Sequence, residues 1–215
     1  MPLTPLQTAF SHARIGRYLD WSCGNPTVAI QLYALNSQLS ESLYISLQAL
    51  ELALRNRIHE AMSGQFGDEW LLNDSGLLHP KQMQKVRRAL VELTLNRKPH
   101  TSEQVLATLS FGFWTALLGK EYEELWRTAL HHIARKPNGK RVSRKSLSGP
   151  LTTIRKLRNR IAHHEPILHF NLPRHHSNMR VIIHWLSPEA ELWCGQNDRF
   201  PALYEANTYQ LAIAA

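Results

Sequence analysis

SESLYISLQALELALRNRIHEAM, residues 40–62, carries Leu43, Leu47, Leu50, Leu54, Ile58 and Ala61 at intervals of three and four. That spacing lines one face of an α-helix and conflicts with the two-residue alternation of a half-buried strand. Upstream, residues 3–19 follow the same helical rhythm after a Thr-Pro start signal and stop before CGNP, and Asn25-Pro26 opens a segment running into the long stretch. Downstream, residues 63–76 read as a loop rich in Gly, Asp, Asn and Ser, followed by a helix over residues 81–95. Thr101 or Ser102 is placed to cap the next helix, over residues 104–118.

Further helices are expected over residues 120–134 and 179–193, the latter interrupted at Pro188, with a short closing helix beyond Arg199. RKPNGKRVSRK, residues 135–145, reads as an exposed basic loop around a Pro-Asn-Gly turn. From Ser148-Gly149-Pro150 a helix runs to a histidine pair, with Leu151, Ile154, Leu157 and Ile161 on its apolar side. Trp114, Trp126 and Trp185 fall in helical apolar patterns and read as core. The expected architecture is all-α: a single helical bundle over residues 1–215, with long central helices and no linker.

The chain has 215 residues, 43% hydrophobic and 20% charged, as an ordinary globular protein does. No run of about 18 apolar residues predicts a membrane span, and the first residues lack a secretory signal pattern. Cys23 and Cys194 stand isolated, which argues against a disulfide framework or a cysteine-rich zinc site and fits a reducing cytoplasm. The net charge is +8, and its placement is uneven. Between Glu124 and Glu165 lie eleven arginines and lysines and no acidic residue, more than the whole excess. Within that window Lys140, Arg141, Arg144, Lys145, Arg155, Lys156 and Arg160 are the candidate contacts to an RNA backbone, because clustered charge binds a polyanion by counterion release.

The pentapeptide LRNRI occurs twice, at residues 54–58 and 157–161. The flanks SLQALE and LTTIRK share no pattern, so the repeat is not a duplication. In the first copy Glu51 and Arg55 are four apart and predict an ordinary helical ion pair. In the second, at about 100° per residue, Arg158 lies about 140° from His163 and about 120° from His164, whereas Asn159 and His163 share a face. Pro166 disfavours helix at Glu165, which puts both histidines in the last turn, beside the negative end of the dipole. Two titratable imidazoles near an arginine suit phosphate chemistry. One histidine takes a proton from a 2′-hydroxyl, while Arg158 and a protonated partner offset charge on the phosphorane. Histidine pairs also recur at 131/132 and 175/176, but adjacent helical histidines diverge and no metal-ligand spacing accompanies them, so no metal and no cofactor are expected.

RNRIAHH, residues 158–164, resembles the Arg-x4–6-His signature of HEPN domains, all-helical proteins that include metal-independent ribonucleases. More narrowly, Arg158, Asn159, Ala162, His163 and His164 are similar to the late R-N-x-x-A-H-H motif of the Abi (abortive infection) family of phage-resistance proteins. Glu51 with Arg55, Phe111-Gly112 and WLSPE at residues 185–189 agree, so the resemblance covers about residues 40–195. It implies a HEPN-like bundle and an endoribonuclease leaving a 2′,3′-cyclic phosphate and a 5′-hydroxyl. Arg158, Asn159, His163 and His164 would be catalytic, supported by Glu51 and Arg55. It further implies RNA as partner, a homodimer with two motif helices facing one cleft, and room for an antitoxin, protein or RNA. Many relatives place an arginine and then Trp-Asn soon after the histidines; Glu165-Pro166-Ile167 stands here, and an acidic residue there would weaken or redirect RNA binding. The alternative is a non-catalytic HEPN-like module that binds RNA or protein.

Overall fold

The computed structural model describes residues 5–73 and 76–214, with the side chains of residues 5–7 and 12 left aside. Thr4 of the first start signal and Asp74-Ser75 of the expected loop lie outside the described residues. The described residues are mostly helical, with no β-structure beyond one bridge between Arg135 and Arg141. No helix among them is long and apolar enough to cross a membrane.

The chain opens with α1 (Pro5–Phe10) and α2 (His12–Trp21), divided at Ser11, whose φ of 68° breaks the single helix expected there. Asn25 caps α3 (Pro26–Ser42), its side chain accepting from the Thr27 and Val28 N–H groups at 3.0 and 3.2 Å, with Pro26 in the first turn. A step at Leu43 separates α3 from α4 (Tyr44–Phe66), so the opening apolar stretch begins at the end of one helix and continues through the next. At 23 residues, about 35 Å, α4 is the longest element, and Gly67 ends it with φ 86°. The expected loop therefore starts one turn late.

Next come α5 (Pro80–Leu95), α6 (Ser102–Thr108) and α7 (Phe111–Ala116). Thr101 caps α6 by accepting from Gln104 N–H, and Leu109-Ser110 split the helix expected over residues 104–118 into two. Residues 120–134 form two single 3₁₀ turns around α8 (Glu123–Thr128), not one helix. α9 (Arg144–Ala162) starts four residues before the expected Ser148, because Ser143 caps it by accepting from Ser146 N–H. Pro150 is thereby left inside the helix, where it supplies no amide donor. α10 (Leu172–Leu186) and α11 (Pro188–Asn197) meet at Ser187, which caps α11, and α12 (Phe200–Ala206) and α13 (Thr208–Ile213) close the chain.

α4 is the axis, packed against α10 above all, and against α11 and α7; α9 packs on α10 and α7, and α2 and α12 cover α3. Leu50, Leu54 and Ile58 of α4 are fully buried, as are Leu151, Ile154 and Leu157 of α9, each contributing roughly 1.5–3 kcal/mol of burial. Trp114 and Trp126 are core residues and Trp185 is half-buried. The architecture is an all-α bundle with α4 and α9 as its long central helices.

Candidate phosphate cleft and histidine turn

The two LRNRI copies sit on α4 and α9 and converge. Arg55 from the first and Arg158 from the second line one cleft of about 290 Å³, with Glu51 between them and Tyr44, Gln48 and Ile161 on its walls. The Glu51 carboxylate lies 3.7 Å from the Arg158 guanidinium and accepts from the Phe111 N–H that opens α7. Burial pushes the Glu51 carboxyl up from its usual value, and Arg158, the Phe111 amide and Arg55 offset part of that shift. With two guanidiniums to one carboxylate, the cleft carries excess positive charge suited to a phosphate. The Phe111-Gly112 step acts through its backbone, and Gly112 lies beside the Arg155 side chain.

The second arginine of each copy braces the fold. Arg57 donates to the Ile133 carbonyl and pairs with Glu60, and Arg160 donates to the Pro166 carbonyl, pairs with Glu165 and covers the Phe170 ring. His59 of the first copy accepts from the Trp70 indole N–H at 3.0 Å and is a packing residue. The four-residue phase of Glu51 and Arg55 therefore puts both in the cleft, although Glu51 pairs across to Arg158 of α9.

α9 ends at Ala162, directly before the histidine pair to which it was expected to run, so both histidines follow the last turn rather than forming it. His163 is the C-cap at φ −98°, and His164 adopts the left-handed conformation at φ 56°. The Glu165 N–H reaches the Arg160 carbonyl and the His164 N–H the Ile161 carbonyl, the paired bonds of a Schellman turn, with histidine where glycine is preferred. Two residues from elsewhere fix this turn. Arg14 of α2 donates to the carbonyls of His163 and His164 at 2.9 and 2.8 Å. Asn36, buried on α3, accepts from Ile167 N–H at 2.7 Å and donates to the Glu165 carbonyl. Both imidazoles are exposed, as is Asn159.

Arg158 and His164 do not face one depression. His164 lines a second one, of about 400 Å³, and Ile161 and Tyr44 form the wall shared with the cleft. The basic window is similarly divided. Lys140, Arg141 and Lys145 are exposed at the start of α9, about 28 Å from the histidines along its 19 residues. Arg155 and Lys156 are nearer, and Lys81 and Lys85 of α5 join Arg155: burial, then these like charges, lower the Lys85 ammonium from its usual value. Arg144 is engaged with Glu123 at 2.6 Å and the Leu118 carbonyl, and Arg160 in the turn. Among the described residues no group of three or more His, Cys, Asp or Glu side chains is placed to hold a metal ion.

Sequence reading missed Arg14, Asn36, the Phe111 amide, Lys81 and Lys85. A buried asparagine on an apolar helix face is the one local signal among them; the others depend on packing between distant segments. Comparison with curated proteins and with solved structures gave no match. A family model, described as Abi-like protein, matches residues 24–169, more than half of the chain and inclusive of Glu51, Arg55, Arg158 and the histidine turn. The chain belongs to this family, whose description points to abortive infection, a phage-defence response.

Proposed function

We propose that the protein is a metal-independent endoribonuclease of the HEPN type, acting in phage defence by toxin-like RNA cleavage in the cytoplasm. The observation that carries this reading is the cleft itself: Arg55 and Arg158 flank Glu51 where a phosphate fits, with two exposed histidines five and six residues beyond Arg158. One of His163 and His164 takes the proton of a 2′-hydroxyl, and the 2′-oxygen attacks phosphorus. The bond to the 5′-oxygen breaks as that oxygen gains a proton from the second acid, leaving 2′,3′-cyclic phosphate and 5′-hydroxyl ends. Arg158 holds the phosphate and offsets its developing charge, and Asn159 orients an imidazole or the phosphate. Lys140, Arg141, Lys145, Arg155 and Lys156 grip the flanking backbone, with Lys81 and Lys85 extending that surface.

Because Arg158 and His164 face different depressions of one chain, the reacting set is completed in a homodimer, the arginine of one protomer serving the histidines of the other. The acidic residue after the histidine pair does not oppose RNA in this reading, since Glu165 is paired with Arg160 at 3.4 Å. The second reading, a non-catalytic RNA- or protein-binding module, draws support from Glu51 already occupying Arg158. Arg158→Ala, and His163→Ala with His164→Ala, are each expected to lower RNA cleavage by about 100-fold or more and to relieve toxicity on expression. Undiminished cleavage and toxicity in both would refute the enzyme; salt-sensitive RNA binding without cleavage by the unaltered protein establishes the module. An antitoxin, protein or RNA, is a further expected partner.

A further inference from the structure

The depression beside His164 differs from the cleft in the chemistry it offers. Its walls include Tyr33 and Tyr44, with Ser37, Ser40 and Glu41 on one side and Arg199 on the other. Arg199 and Glu41 pair at 2.8 Å, so their charges cancel, whereas the neighbouring cleft keeps a surplus guanidinium. A phosphate therefore favours the cleft, and an uncharged polar group favours the depression. At about 400 Å³ the depression falls in the range of pre-formed small-ligand sites.

Its hydrogen-bonding pattern is specific. Ser37 and Ser40 spend their hydroxyl protons on the Tyr33 and Asn36 carbonyls, so they present oxygen lone pairs to the depression. Glu41 adds acceptor lone pairs beside the one that holds Arg199, and Arg199 keeps the remaining donors of its fork. Tyr33 is held edge-on by Tyr18 and flanked by Phe10, a fixed wall, while Tyr44 is 61% exposed and free to lie against a flat ring.

We infer that this depression is a nucleobase pocket for guanine, seating the base of the nucleotide whose phosphate occupies the Arg55–Arg158 cleft. Guanine alone among the four bases presents two adjacent donors, N1–H and the 2-amino group, to a carboxylate, with the O6 acceptor next to them for a guanidinium. Glu41 takes the donors, Arg199 the O6, and Tyr44 stacks on the ring. Tyr44 and Ile161, common to both depressions, put the base pocket directly beside the phosphate cleft, as base and phosphate of one nucleotide require. Arg199 lies beyond the segment that the family model matches, so half of this reader belongs to the part of the chain outside that match.

The inference rests on the phosphate cleft binding RNA, and the two are separable by binding without cleavage. Fluorescein-labelled octauridylates, 2′-O-methylated throughout so that no attacking hydroxyl remains, carry G, A, C or U at one central position and are titrated with the full chain by anisotropy. The guanine oligomer is expected to bind about tenfold more tightly than the other three. Glu41→Gln and Arg199→Ala, both exposed and of little consequence for folding, erase that preference and leave the uridine oligomer unchanged. Tyr44→Ala weakens all four about tenfold. Equal affinity for the four oligomers, or a guanine preference that survives Glu41→Gln, overturns the pocket and leaves the cleft standing. Failure of every oligomer to bind in low salt overturns both.

Discussion

Replacing His164 by glycine tests whether the histidine turn stores strain. A non-glycine residue in the left-handed region costs about 1–2 kcal/mol, and His164 occupies it at φ 56°. Glycine removes that cost and in return loses about 0.4–1 kcal/mol through the larger entropy of its unfolded chain. The imidazole is exposed, so little burial is lost. The backbone bonds of the turn, including those from Arg14, remain available to glycine. The balance is a gain of about 0.5–1 kcal/mol, or roughly 1–4 °C in Tm for a chain of this size. His163 is the internal control: at φ −98° it is unstrained, and His163→Gly is expected to lose about 0.5–1 kcal/mol. Urea unfolding followed by tryptophan fluorescence reads both, provided the slope m is unchanged. Opposite signs at adjacent histidines support a strained turn kept for the sake of its imidazole. Equal destabilisation by the two substitutions refutes it, and would mean that the His164 side chain itself holds the turn.

Two other outcomes follow from contacts around the site. Arg14→Ala removes a charged donor shared by the His163 and His164 carbonyls and, discounted for its exposure, should cost about 1 kcal/mol in urea unfolding and loosen the turn enough to lower RNA cleavage while RNA binding persists. Glu51, whose carboxyl is raised above its usual 4.5 chiefly by burial, binds its proton more tightly folded than unfolded. Its ionisation therefore subtracts stability as pH rises above 4.5, and nothing below it. Glu51→Gln should accordingly gain stability relative to the unaltered protein between acid and neutral pH, measured as the difference in urea midpoint; a difference flat with pH would show that Arg158 fully compensates the buried charge.

The elements that carry the site were legible in the sequence because they are local. The three-and-four spacing from Leu43 to Ala61 and from Leu151 to Ile161 placed α4 and α9 and their buried faces, and Pro166 announced the end of α9. The end fell only one or two residues short of the expected point, but its geometry was hidden, since the left-handed step at His164 is stabilised by Arg14 and Asn36, remote in sequence and visible only once packed. The same limit hid the meeting of Arg55 and Arg158, because periodicity assigns a face but not the face opposite. Leu43 shows the reverse error, apolar rhythm running on through a point where packing redirects the backbone, whereas the break expected at Pro188 is found, with Ser187 capping α11. Arg144 and Arg160, counted among RNA contacts from charge alone, have fold-level partners that composition does not reveal.

The central claim, metal-independent cleavage at a 2′-hydroxyl, is tested most directly by incubating the purified protein with RNA in EDTA and identifying the new ends. The expected result is cleavage undiminished by the chelator, with 2′,3′-cyclic phosphate and 5′-hydroxyl termini, and its loss in Arg158→Ala. Intact RNA in EDTA, or products ending in 3′-hydroxyl and 5′-phosphate, would contradict it.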